Sequence, residues 1–175
     1  EDEKLRSSEG YKVFNGWARR DWKAALEWAD TAPGSSQYVG YALSALASTD
    51  PGQAAKLMSE RLESGNFSDL YLSGNNIGRE YAKMGKDALM RYIETLPVSQ
   101  QSNTLSNAIR DIPEGEMEGL VDELYARREK GNDWSFSSSF SQFMKADPEK
   151  ARAWLAKMEP GEEKAKLEIS TGATM

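Results

Sequence analysis

Carboxylates, arginines and tryptophans are the residues of this chain whose placement could do chemistry, because histidine and cysteine are both absent. Without histidine there is no ordinary general base near neutral pH, and no Ser-His or Cys-His nucleophile. Without cysteine, thiol catalysis and cysteine-ligated zinc are closed, and no disulfide framework exists. Three chemistries stay open. Paired carboxylates could act on a glycosidic bond, a carboxylate cluster could hold a cation, and tryptophan beside arginine could anchor a partner.

The carboxylates fit capping better than catalysis. Asp21, Asp50 and Asp147 recur at one position of a repeated phrase, and Pro51 and Pro148 follow two of them. Aspartate is a preferred helix N-cap, and proline is tolerated at the first helical position. Glu114, Glu116 and Glu118 crowd a helix start, where the positive end of the macrodipole favours them, so they read as a solvated first turn. Glu162 and Glu163, after Pro160-Gly161, read the same way. No Asp-x-Asp-x-Asp-Gly loop offers a calcium site. Met84-Gly85-Lys86-Asp87 lacks the spacing and hydroxyl of a phosphate-binding loop and falls at a helix–helix corner. Gly74 and Gly78, in a polar surrounding, read as close helix packing. The Asn66-Phe67-Ser68 sequon carries no weight. No catalytic, cofactor-binding or metal-binding residue is assigned, no cofactor is expected, and the chain reads as no enzyme.

Among the aromatics, Trp17, Trp28 and Trp154 sit at anchor positions of the phrase and read as core. Trp22 differs, because it occupies a slot where two other copies have proline, beside Arg19, Arg20 and Lys23. Trp134 begins a serine-rich helix after Gly131-Asn132-Asp133, with Arg127 and Arg128 upstream. Trp22, Arg19, Arg20, Trp134, Arg127 and Arg128 are therefore the candidate partner-binding residues, by the composition of interface hot spots.

The phrase itself runs Trp17-Ala18…Asp21…Ala25…Trp28, then Leu46-Ala47…Asp50…Ala54…Leu57. It continues as Tyr81-Ala82…Gly85…Leu89…Tyr92 and ends as Phe143-Met144…Asp147…Ala151…Trp154. A worn copy, Ile112…Glu116…Leu120 with Leu124 one place late, fills the gap between the last two. Self-similarity near thirty residues means stacked supersecondary units. Each Asp or Gly starts a helix, and the apolar–alanine pair before it closes the preceding one. Pro33, Pro97 and Pro160 stop three of these helices, and Ser64-Gly65-Asn66 stops a fourth. Residues 35–46, 68–84, 100–110 and 134–145 supply the intervening amphipathic helices. No segment alternates with a strand's two-residue period.

These residues resemble the helical-hairpin repeats of the tetratricopeptide and HEAT-like superfamily. Asp147-Pro148-Glu149-Lys150-Ala151-Arg152-Ala153-Trp154 is similar to a tetratricopeptide opening helix, and Tyr81–Ala88 to the turn between that family's helices. The looser pattern Trp-Ala-x-x-Asp-Pro-x-x-Ala-x-x-Trp resembles that of uncharacterised helical-repeat proteins of environmental bacteria. The resemblance covers roughly residues 13–160. It implies an all-α fold, a right-handed α-α superhelix (solenoid) of about five hairpins, and a surface that binds protein or peptide. It imports no active site. The expected organisation is a polar segment 1–9, one repeat domain 10–170 and a polar tail 171–175.

Composition agrees with these expectations. Hydrophobic residues make up 39%, charged residues 29%, and five Trp, seven Tyr and five Phe suffice for a packed core. The net charge of −6 argues against nucleic acid as partner. No apolar run reaches the length of a membrane span. The start at Glu1-Asp2-Glu3, without Met, is read as an exported bacterial protein with its signal removed. The end near Lys164–Ile169 is expected to fray or to lean on a neighbour. The leading expectation is a non-catalytic scaffold. A carboxylate enzyme or accessory domain acting on polysaccharide, and a structural spacer of a larger protein, are the alternatives.

Overall fold

The computed structural model describes residues 8–33, 35, 38–63, 71–127 and 134–172. Among them there is helix and no strand, as the periodicity predicts. The helices are α1 (Ser8–Ala18), α2 (Trp22–Thr31), α3 (Val39–Ala47), α4 (Pro51–Glu63), α5 (Tyr71–Lys83) and α6 (Lys86–Thr95). They continue as α7 (Val98–Ala108), α8 (Met117–Arg127), α9 (Trp134–Ala146), α10 (Pro148–Lys157) and α11 (Glu162–Thr171). Short 3-10 turns at Ile109–Asp111 and Glu114–Glu116 join α7 to α8.

Every anchor of the phrase is the residue immediately before an even-numbered helix. Asp21, Asp50, Gly85, Glu116 and Asp147 precede α2, α4, α6, α8 and α10. At three corners the aspartate does what its chemistry suggests. Asp21, Asp50 and Asp147 accept the backbone N–H three residues on, at 3.1, 2.9 and 3.0 Å. Each also donates its own N–H to the residue four back, Trp17, Leu46 or Phe143. One turn into each even helix sits a residue with no solvent exposure: Ala25, Ala54, Leu89, Leu120 and Ala151 are all 0% exposed. On the other side of the corner Ala18, Ala47 and Ala82 are equally buried, so two helix ends meet with no side chain between them.

The Gly85 corner is built differently. Glycine has no side chain to cap with, and its φ of +112° and ψ of 167° lie in a region essentially confined to glycine. The missing acceptor comes from Glu116, whose Oε2 takes the Lys86 N–H at 2.6 Å. A Cβ on Gly85 would stand 2.8 Å from that same oxygen. Glu116 is therefore a cap for a helix thirty residues earlier, which corrects its reading as a solvated first turn.

The chain divides into two compact units, Glu1–Tyr81 and Ala82–Met175. In the first, α1 packs on α2 and α3, α2 on α3, and α3 on α4. Arg61 of α4 reaches back to Asp30 of α2 with bonds of 2.7 and 2.6 Å. Ser73 and Asn76 of α5 donate to Gly40 O and Ser44 Oγ of α3 at 3.3 and 2.9 Å. Gly74 and Gly78 on α5 are buried, consistent with close packing. The first unit's core is aromatic, with Phe14 and Tyr38 each 1% exposed and their rings 4.8 Å apart.

In the second unit α6 packs on α7 and α8, α7 on α9, α8 on α9 and α10, and α9 on α10 and α11. Phe136, Phe140 and Phe143 of α9 are buried, and Trp154 stands 5.8 and 5.5 Å from the first two rings. Within either unit, then, the helices that pack on each other are one or two apart along the chain.

One expectation fails. Trp17 is 36% exposed and so is not core. Phe14 fills the interior instead, and Trp17 stands edge-on to Phe14 and Trp28 at the rim. At the far end α11 packs on α9, with Leu167 2% and Ile169 78% exposed. Gly172, in the left-handed conformation, ends α11 by donating to Glu168 O and Ile169 O. The Ser64-Gly65-Asn66 stop, the sequon at Asn66, most of the segment 1–9 and residues 173–175 lie outside the described residues.

Two predictions follow from the corners. Gly85→Ala should cost about 2–3 kcal/mol, from backbone strain and displacement of the Glu116 carboxylate. Chemical denaturation of Gly85→Ala, Glu116→Ala and the double variant should show a double cost below the sum, because the clash disappears with its partner. Asp147 is held below its ordinary 3.8 by the Lys150 backbone N–H first and the Lys150 ammonium second. A lowered folded-state value gives stability that is full above the ordinary value and lost as pH falls through the folded one. The melting-temperature gap between wild type and Asp147→Ala should thus be constant near neutrality and shrink below pH 3.8.

Candidate functional site

Among the described residues, side chains line a concavity in each unit. The first, of about 550 Å³, is lined by Asn15 of α1, Arg19 just after α1, Tyr41, Ser44 and Ala45 of α3, Ser48 just after α3, and Asn76 and Glu80 of α5. Among the described residues its walls come from odd-numbered helices and the turns that follow two of them. Tyr41 is half-buried, its ring held 5.0 Å from that of Tyr11. Ser44 Oγ donates to Gly40 O at 2.7 Å and accepts from Asn76 Nδ2 at 2.9 Å. Ser48 donates to Ala45 O at 2.7 Å. The Arg19 guanidinium makes no ion pair with a described residue and is exposed. The groove thus offers amides, hydroxyls, one phenol, one cation and one carboxylate: hydrogen bonding with little charge.

The second concavity, of about 480 Å³, is lined by Glu118, Asp122 and Tyr125 of α8, Trp154 and Lys157 of α10, and Met158 and Glu159. Three carboxylates and two aromatic rings resemble the inventory of a sugar-processing cleft, but their bonds are structural. The Trp154 indole donates to Asp122 Oδ1 at 2.6 Å, and Tyr125 meets its ring edge-on at 5.3 Å. Trp154 is only 8% exposed, so its face cannot stack on a ring from solvent. Carboxyls whose titration moves are Asp87, Asp147 and Glu162, all pushed down by a neighbouring lysine's hydrogen bonds, side-chain or backbone. Among the described residues no group of three or more carboxylates is placed to hold a metal. Among them, too, no helix is long and apolar enough to cross a membrane.

Of the six residues singled out by composition, Arg19, Arg20 and Trp22 lie in the first unit and Arg127 in the second. Arg19 lines the first groove. Arg20 is exposed in the turn after α1, donating its N–H to Trp17 O. Trp22 opens α2, half-buried, with the Lys23 ammonium 5.6 Å over its ring. Arg127 is engaged inside the second unit, by Glu94 and by Glu123 at 2.8 Å. The hydrogen bond to Glu94 raises its already high pKa further. Trp134 begins α9, with its side chain outside the described set, and Arg128 lies outside the described residues. Asn15, Tyr41, Ser48 and Asn76 were not anticipated, because a half-buried polar residue on one helix gives no local sign of two partners on others.

No family model, no curated protein and no solved structure matches the chain. What the coordinates establish is an all-α, multi-helix fold without a sheet among the described residues.

The Asp122–Trp154 bond yields a direct test of the second concavity. Asp122→Ala leaves a largely buried indole N–H without its acceptor and should cost about 1–2 kcal/mol in denaturant unfolding. Asp122→Asn keeps an acceptor and should recover most of that loss.

Proposed function

We propose that this chain is a non-catalytic scaffold that holds a protein or peptide segment, built from five helical hairpins of the solenoid-repeat type. The groove of the first unit is its contact surface. One observation carries the reading: three hairpins in succession each contribute their odd helix to a single groove, while their even helices contribute nothing to it. Stacked hairpins generate a binding face of this kind.

The neighbour pattern supports the repeat. Side chains that bond between hairpins are separated by 31, 32 and 33 residues in the first unit. In the second unit the separations are 30, 32, 33 and 37. A step of thirty-odd residues that recurs between neighbours in space is what a one-dimensional array would give. Arg19 belongs to both the composition-based candidates and the groove, and is the first choice among contact residues.

Display of random short peptides against the full chain tests the reading. Peptides selected on wild type should bind Ser48→Trp, which fills the groove from an exposed position, at least about tenfold more weakly. Circular dichroism melting of the two proteins should coincide. Equal affinity for both would remove the groove as contact surface.

A further inference from the structure

The odd and even helices differ in how they are polar. Every even helix from α4 to α10 carries four charged side chains and α2 carries three. The odd helices α1 to α9 carry only Glu9, Lys12, Arg79, Glu80, Lys83 and Lys145, with none on α3 or α7. Amides and hydroxyls stand there instead: eight of the eleven residues of α7 and six of the thirteen of α9 are Ser, Thr, Asn or Gln, against none on α8 or α10. Solubility alone does not require this. Charged residues solvate a helix face better and form helix at least as well as Ser and Asn.

The hydrogen bonds sharpen the difference. Ser44, Ser106 and Ser141 turn their hydroxyl protons back to Gly40 O, Ser102 O and Ser137 O at 2.7, 2.9 and 2.9 Å. Asn76 and Asn107 each use one amide N–H inside the unit, on Ser44 Oγ and Asn103 O, both at 2.9 Å. The hydroxyl protons are used within the protein, so these hydroxyls can serve a ligand as acceptors, and each asparagine keeps its oxygen and a second N–H. Such a face suits a ligand that brings neutral N–H donors. Lysine or arginine ligands would need carboxylates, and among α1 to α9 the odd helices supply only Glu9 and Glu80, although α11 adds three more. Phosphates would find a single cation in the groove, Arg19, among acceptors.

We infer that the first-unit groove, walled by α1, α3 and α5, reads the main chain of an uncharged extended polypeptide by neutral hydrogen bonds. This rests on the scaffold reading and adds the ligand's chemistry to it. The dimensions agree. Adjacent packed helices lie about 8–10 Å apart, and an extended strand advances about 3.3 Å per residue. Every third residue of the ligand would therefore face the next odd helix.

Two random peptide libraries, one without Asp, Glu, Lys and Arg and one unrestricted, separate the outcomes when displayed against the full chain. The neutral library should yield binders. Their affinity should change less than about twofold between about 0.1 and about 1 M NaCl, which shortens screening from about 10 to about 3 Å. N-methylation of single backbone amides should weaken a selected peptide about tenfold at roughly one position in three. Asn15→Ala and Asn76→Ala should each weaken it, with melting curves recorded to show that both variants fold.

Binders only from the unrestricted library, or an affinity falling more than about tenfold with salt, would overturn this inference and leave the scaffold standing. Groove-dependent binding of neutral oligosaccharides instead of peptides would overturn it too. No binders from either library would sink both readings.

Discussion

The structure depends on one constraint, the absence of room at the hairpin corner. A residue one turn into each even helix has no contact with water, and at three corners a buried alanine, Ala18, Ala47 or Ala82, ends or nearly ends the odd helix before. Ala25, Ala54 and Ala151 meet the constraint by being small, while Leu89 and Leu120 meet it by filling the space themselves. With the backbones this close, the first N–H groups of the even helix are partly shielded and must find an acceptor. The corner carboxylate follows from that need. Its recurrence is thus a consequence of packing, and its presence in the repeated phrase is no sign of an acid catalyst.

Charge is placed where neighbours can use it. Arg61 with Asp30, Lys86 with Asp87 and Glu123, and Arg127 with Glu94 and Glu123 all lie on even helices. These bonds raise the pKa of Lys86, through Asp87 first and Glu123 second. Exposed pairs of this type add little stability each, but they fix which helix lies beside which. With orientation set on the even side, the odd side is free of that task and can carry side chains chosen for a ligand.

Local chemistry was legible in the sequence and distant chemistry was not. The aspartate caps, the proline stops and the buried Ala25, Ala54 and Ala151 are all written within four residues of where they act. Their types alone identify them. Glu116 was misread because its partner is Lys86 N–H, a whole repeat away, and nothing next to Glu116 marks it as a cap. Trp17 was misread because its anchor position is occupied elsewhere by Leu46 and Phe143, both buried, whereas Phe14 already takes the interior beside it. The groove left no trace for the same reason as Glu116. Asn15, Tyr41 and Asn76 come to line one groove only when three helices are laid side by side.

The borrowed cap at Gly85 ties two distant stretches of chain together. The helices opening at Asp21, Asp50 and Asp147 take a cap from the residue just before them. The helix opening at Gly85 does not, since without Glu116 the Lys86 N–H is stranded and the carboxylate around which the glycine is shaped is gone. A chain cut between α6 and Glu116 should therefore loosen the start of α6 as well as losing the residues removed.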